Sequence, residues 1–209
     1  MTPPQPTVLI VDDDASVCRS LSRLLRQEGI STRSFASAEE FLLAPAETWR
    51  HPACMVLDLQ MPGLNGLELQ QRLARHPASC PIVFISGNGT IPATVQAMQQ
   101  GAVNFLTKPF DSDDLLQAVR EALDQHRHRL KTGARVLTVT TRIGSLTDRE
   151  REVMAWIITG ALNKQIAAHL GIVEKTVKVH RARVLEKMQA SSVADLVRLC
   201  EVVSFKSAV

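Results

Sequence analysis

Apolar positions in the first 124 residues fall into short runs separated by amphipathic stretches. Thr7–Val11 (TVLIV) is nearly all apolar, as suits a strand buried on both faces of a parallel sheet, and it stops at Asp12-Asp13-Asp14. Val17, Leu21, Leu24 and Leu25 then recur at helical spacing, and Gly29 closes that helix. Residues 30–35 read as a second strand. Ser37 and Glu40 form a capping-box pattern ahead of Phe41 and Leu42. Residues 53–57 (ACMVL) read as a third strand ending at Asp58, with a helix over 66–75 before Pro77. Residues 81–85 (PIVFI) make a fourth strand ending at Ser86, with a helix over 92–100 stopped by Gly101. Residues 102–106 make a fifth, ending near Lys108-Pro109, and Asp111 opens a helix carrying Leu115, Leu116, Val119 and Leu123.

Five strand–helix units in about 124 residues predict a doubly wound α/β fold, a five-stranded parallel sheet with helices on both faces. In such sheets ligands bind beyond the carboxyl ends of the strands. The residues at those ends are Asp12, Asp13, Asp58, Ser86 and Lys108. Clustered carboxylates repel unless a cation neutralises them, and Mg2+ favours carboxylate oxygens, water and phosphate. A carboxylate can also attack phosphorus. This set supports phosphoryl transfer, with Asp58 as nucleophile, Asp12 and Asp13 holding metal, and Lys108 and Ser86 binding phosphoryl oxygens.

The remainder changes character. Residues 125–131 are predicted to continue the last helix, with His126 and His128 solvated. Residues 132–144 contain Gly133, Gly144 and several threonines without a helical stripe, which predicts a linker; 136–139 could form a short strand lacking a partner. Beyond it, four short helices make an all-α module. The first opens at the capping box Thr147–Glu150 and carries Val153, Trp156 and Ile157. Asn163 is expected to cap the second, and Gly171 supplies the turn to a third over 174–188. A fourth follows Ser191-Ser192. Two short helices joined by a glycine turn form a helix-turn-helix. On a wheel of about 100° per residue, Val177, Val184 and Met188 share one side of the third helix. Lys175, Lys178, Val179, Ala182 and Arg183 share the other, and Arg181 lies nearer the core edge. Basic and small apolar side chains suit phosphates, guanine edges and thymine methyls.

Charge divides at the same place. Residues 1–124 hold 9 Lys/Arg against 14 Asp/Glu, a balance of −5, and the rest carries +8 of the overall +3. An acidic front and a basic back predict modules with different partners, nucleic acid for the second. With 45% hydrophobic and 22% charged residues, a chain disordered throughout is excluded. No apolar run reaches the roughly 18 residues of a membrane span, and residues 1–6 lack the basic and apolar regions of a signal peptide. No membrane partner and a cytoplasmic location are the expectation. Cys18, Cys54, Cys80 and Cys200, widely spaced, read as buried thiols.

Residues 7–124, through VLIVDDD (8–14), VLDLQMPGLNG (56–66), IVFISG (82–87) and FLTKPF (105–110), resemble the receiver domain of two-component response regulators. Residues 145–203, through LTDREREV, NKQIAAHLGI and TVKVHRARVLEKM, resemble the LuxR/NarL/FixJ-type DNA-binding domain. The domains expected are therefore a receiver over 1–124, a helical extension and linker over 125–144, and the helix-turn-helix domain over 145–209. The resemblance implies that Asp58 accepts phosphate from a sensor histidine kinase. It implies that Asp13, Asp58 and the backbone carbonyl of Gln60 ligate Mg2+, with Asp12 acting through water. It makes Ser86 and Phe105 the switch pair, Phe105 without the hydroxyl a Tyr would carry, and Lys108-Pro109 similar to the family's cis peptide. Lys178, Val179 and Ala182 match base-contact positions. Lys164, Lys175, Thr176, Arg181 and Arg183 complete the expected DNA surface. Val173, where Ser or Thr is often found, predicts a recognition helix without a side-chain cap. The partners implied are kinase, promoter DNA, RNA polymerase and a second copy on phosphorylation; enzyme activity is expected only as the receiver's own phosphorylation and dephosphorylation. A constitutive DNA-binding regulator with a silent receiver is the alternative. An aspartyl-phosphate phosphatase is disfavoured by Gln60 where a second acid is usual, and P-loop binding by the lack of a GK[ST] motif.

Overall fold

The computed structural model describes residues 6–45, 52–74 and 80–207. Five strands, β1 (Thr7–Val11), β2 (Ser31–Phe35), β3 (Pro52–Asp58), β4 (Ile82–Ser86) and β5 (Asn104–Thr107), form one sheet in the order β2-β1-β3-β4-β5. Every pairing is parallel. The all-apolar runs lie where sheet faces are covered: Val8 to Val11 and Ile82 to Ile85 are buried throughout. Alternate residues feed two cores. Val8, Ile10, Val56, Val83 and Ile85 meet α1 (Ala15–Gln27) and the start of α5 (Ser112–Gly144). Leu9, Met55, Leu57 and Phe84 meet α2 (Ala38–Leu43), α3 (Gly66–Ala74) and α4 (Ile91–Gln99). Gly29 ends α1 at φ +73°, a left-handed conformation that glycine adopts without steric cost. The fifth strand begins two residues and ends one residue later than its apolar run predicts, and it is only partly buried because it is an edge strand. Arg75 and Pro77, the predicted end of the third helix, lie outside the described residues.

The linker predicted over 132–144 is not a loop. Helix α5 runs unbroken for 33 residues from Ser112 to Gly144. Thr138 and Thr141 hydroxyls donate to the carbonyls four residues back, Ala134 at 2.8 Å and Leu137 at 2.9 Å, which satisfies the hydroxyls without itself stabilising the helix. Packing is what favours helix. Val139 is fully buried and Ile143 partly so, both within the C-terminal core, so tertiary packing overrides weak local propensity. The short strand considered over 136–139 is absent. The chain separates into two compact units between Arg129 and Leu130.

The C-terminal unit adds α6 (Asp148–Ile157), α7 (Asn163–Leu170), α8 (Glu174–Met188) and α9 (Val193–Val202). Its core joins Val139, Val153, Met154, Ile157, Ile166, Val177, Val184, Met188, Leu196 and Cys200. The Thr147/Glu150 capping box is present. Asn163 does not cap α7, however: it is the first helical residue. The cap position is Leu162, whose N–H is accepted by Gln165 Oε1 at 2.8 Å. All four cysteines are free and buried, and burial pushes Cys80 up to about 12. Among the described residues no helix is long and apolar enough to cross a membrane.

Gly133 sits inside α5 with open space where a Cβ would stand. Gly133→Ala is therefore expected to stabilise this segment by roughly 0.5–1 kcal/mol. Slower amide exchange over residues 132–144 in the variant would show it; unchanged exchange would contradict the helix.

Candidate functional site

Strand β1 delivers Asp12 and Asp13, and β3 delivers Asp58, to neighbouring ends of the sheet. Asp12 is 1% exposed and Asp58 5%, while Asp13 faces solvent. One oxygen from each carboxylate lies within 4.8 Å of the others. From the loop after β5, Lys108 Nζ reaches both buried acids, 2.7 Å from Asp12 Oδ2 and 3.1 Å from Asp58 Oδ1. The chain holds the ammonium there through the Lys108 N–H, which donates to the Ser86 carbonyl at 2.7 Å. Lys108-Pro109 is cis. Backbone amides aim the acids: Asp14 N–H donates to Asp12 Oδ1 at 2.8 Å, and Gln60 N–H to Asp58 Oδ2 at 3.2 Å. Asp14 itself caps α1 by accepting from Ser16 N–H.

The electrostatics follow from burial. Burial raises the Asp58 carboxyl above its ordinary value, the nearby Asp12 charge pushes the same way, and the Lys108 charge opposes both. Burial also works against the Lys108 ammonium, but its hydrogen bond to Asp12 and the charges of Asp58 and Asp12 outweigh that and hold it above the ordinary lysine value. One cation thus faces three carboxylates. Ser86 is fully buried one strand over, where its hydroxyl accepts from Asn88 N–H at 3.2 Å. Phe105 on β5 is half-buried and stacks on Phe84 with centroids 6.1 Å apart. The geometry thus brings Asp12, Asp13, Asp58 and Lys108 into one cluster, with Ser86 and Phe105 on the next two strands.

Three supports escaped the sequence reading. A Cβ on Gly66 would collide with the Asp58 carbonyl oxygen and lie 3.1 Å from Leu59 Cα, so only glycine lets α3 start beside the acid. Glu39 on α2 accepts from Leu64 N–H at 2.8 Å and braces the loop after β3. Gly89 leaves room for the Phe105 ring, which would stand 2.8 Å from an added Cβ. The second glycine of PGLNG is the only one of these signals visible in the chain.

In the C-terminal unit, Val177, Val184 and Met188 of α8 are fully buried, and Lys175, Lys178, Val179, Ala182 and Arg183 are exposed, as the wheel predicts. Val179 is 45% exposed. Lys164 on α7 is exposed; Thr176 is half-buried. Arg181 is also half-buried and lines a cavity of about 280 Å³ with Ile157, the loop Gly160–Leu162, Asn163 and Val193, apart from the exposed row. Val173 precedes α8 without a side-chain cap, as expected. Trp156 stacks on His169, centroids 4.1 Å apart and planes 9° apart, joining α6 to α7.

Residues 8–120 match the response regulator receiver domain family, and residues 144–200 match the luxR family of bacterial regulatory proteins. The chain is a response regulator of the NarL/FixJ family. It is 45% identical over 196 residues to Nodulation protein W of Bradyrhizobium diazoefficiens, covering 93% of this chain and 85% of that one. Transcriptional regulatory protein FixJ of the same species is 40% identical over 193 residues, covering 92% and 93%. The solved structure of response regulator StyR is similar with a TM-score of 0.84 and 43% identity, over 94% and 98% of the two chains. The response regulator therefore pairs a phosphorylation-responsive domain with a helix-turn-helix transcription domain, an arrangement that implies a sensor kinase and promoter DNA as partners.

Within its DNA-binding unit, buried Glu150 accepts from Lys187 Nζ at 2.6 Å and from Thr147 N–H at 2.9 Å. The Lys187 hydrogen bond first, then that from Thr147, hold the Glu150 carboxyl below its ordinary value. A depressed carboxylate stabilises the fold above its unfolded-state value and loses that contribution as pH falls through the folded value. Glu150→Gln should lower the melting temperature at pH 7, with the gap to wild type closing as pH drops through the carboxylate range. Thermal unfolding at stepped pH checks this; a pH-independent gap contradicts it.

Proposed function

We propose that this regulator is switched by phosphorylation of Asp58, and that the switch governs dimerisation and sequence-specific DNA binding. The observation that carries the reading is the Lys108 bridge to Asp12 and Asp58 beside a third carboxylate. In the transfer, an Asp58 oxygen attacks the phosphorus of a kinase phosphohistidine. The O–P bond forms, the N–P bond breaks, and the leaving imidazole keeps the electron pair and takes a proton. Lys108 supplies positive charge to the phosphoryl oxygens, and Ser86 offers its hydroxyl to one of them.

The donor set fits a hard divalent cation: carboxylate oxygens lie within 4.8 Å of one another, with the Lys108 charge alone against three acids among the described residues. Asp13, Asp58 and the Gln60 carbonyl would hold Mg2+, with Asp12 acting through water. When bound, the ion neutralises charge on the transferring group.

Phosphorylation adds charge where Ser86 and Phe105 can respond, Phe105 by repacking against Phe84 and Gly89. On α4, Ile91, Val95 and Met98 are exposed at helical spacing, 80%, 47% and 44% respectively, an apolar face suited to a second copy. A 1:99 to 99:1 switch needs roughly 5.5 kcal/mol of differential binding. A dimer sets two recognition helices about one DNA turn apart. On each, Lys178, Val179 and Ala182 read bases, while Lys164, Lys175, Thr176, Arg181 and Arg183 hold phosphates and flanks. Bound at a promoter, the dimer would act on RNA polymerase.

Asp58→Asn is expected to abolish acid-labile phosphate incorporation from a small phosphodonor, and EDTA to slow it sharply in wild type. Labelling at wild-type stoichiometry in the variant would overturn the acceptor assignment, and an EDTA-insensitive rate the metal assignment.

On the DNA side, Lys178→Ala should cost roughly 1–3 kcal/mol and relax sequence preference. Arg181→Ala should weaken all sequences alike and reduce the salt slope by about one. Binding series on selected and random duplexes at several salt concentrations distinguish the two; the opposite pattern means that α8 is oriented otherwise in the groove.

A further inference from the structure

The luxR-family match begins at residue 144, yet the last turn of α5, just before it, is tied to the far end of the recognition helix. Arg142 Nη1 donates to the Met188 carbonyl at 3.0 Å, and Nη2 to Gln189 Oε1 at 2.5 Å. Lys187 Nζ donates to the Ser145 carbonyl at 3.2 Å. Val139, about one turn before Arg142, and Ile143, the residue after it, are packed in the same core as Val177, Val184 and Met188.

This contact has a specific physical character. The last carbonyls of a helix lack partners and carry its negative end. Arg142 supplies both a donor and a positive charge there. The residue that ends α8, Gln189, is left-handed at φ 51° without being glycine. Such a turn is costly for an L side chain. The second Arg142 nitrogen holds the Gln189 amide and so holds that turn.

We infer that Arg142 is a positioning residue for DNA reading: it fixes the axis of α8 from its C-terminal end, so the functional reading unit starts in α5 rather than at residue 145. The inference rests on the proposal that α8 reads bases. Ala182 and Lys178 lie six and ten residues before Met188, roughly 9 and 15 Å along the axis at ~1.5 Å per residue. A small tilt at the clamp therefore moves the reading side chains by a distance comparable with the tolerance of a bidentate base contact. Phosphate contacts made by flexible Lys and Arg side chains tolerate the same tilt.

The test uses the full-length chain and two duplexes: a site that the wild-type protein selects from random DNA, and a scrambled version of it. Arg142→Ala should lower the ratio of affinities for the two by about five- to tenfold, with the scrambled-duplex affinity and its salt slope little changed. Arg142→Lys, which keeps the charge and one donor, should recover part of the ratio. Loss of stability alone is separated by Arg142→Ala combined with Gln189→Gly, because glycine relieves the left-handed turn. In that double variant the melting temperature should recover and the ratio should stay low. A ratio unchanged in Arg142→Ala, or restored together with the melting temperature in the double variant, overturns the inference. A wild-type chain that selects no sequence removes the base-reading proposal, and this inference with it.

Discussion

Three carboxylates meet at the end of a parallel sheet, two of them buried, and among the described residues Lys108 is the cation that bridges both buried ones. A buried ion pair is weak evidence for stability, since desolvation of the charges can exceed their attraction. Its value here lies elsewhere. Burial holds the Asp58 carboxyl above its ordinary value with Lys108 as its counter-charge, the arrangement on which the proposed binding of a divalent ion and a phosphoryl group rests. The rest of the receiver serves that balance. Buried strands β1, β3 and β4 fix where the acids emerge, amides of Asp14 and Gln60 orient their oxygens, and Gly66 lets α3 begin against the Asp58 backbone.

The C-terminal unit uses charge in the opposite sense. Its buried Glu150 is paired with the partly exposed Lys187, whereas Lys175, Lys178 and Arg183 project outward. Cations turned toward the protein fasten helix ends; those turned outward form the surface proposed to meet phosphates. Arg142 belongs to the first kind although it comes from α5, and this explains why α5 continues so far past the receiver. The acidic and basic halves of the chain are thus two solutions to anion handling, one covalent and one reversible.

Most of this was legible in the chain, and the exceptions share a cause. Strands β1, β3 and β4 are near-continuous apolar runs, a signal that survives without tertiary context. The residues at their ends name the site. The stretch 132–144 misled because Gly133, Thr138, Thr140, Thr141 and Val136 have poor helix propensity, and its core contacts, Val139 and Ile143, are too few to make a visible stripe. Their partners, Val177, Val184 and Met188, lie some forty residues on, and only packing joins them. Likewise Asn163 is a good capping residue by type, but Gln165 takes the Leu162 N–H, so the helix starts a position earlier, with Asn163 inside it. Glu39 and Gly89 were silent because their roles depend on Leu64 and Phe105, far from them in sequence.

The central claim is that the state of the carboxylate cluster sets how tightly the helix-turn-helix binds DNA. The most direct measurement titrates full-length protein onto a selected duplex with Mg2+, before and after acetyl phosphate. Tighter, dimeric binding after the phosphodonor, lost in Lys108→Ala, is the predicted result. Equal affinity and equal stoichiometry in both conditions, with phosphate incorporated at Asp58, would contradict the account.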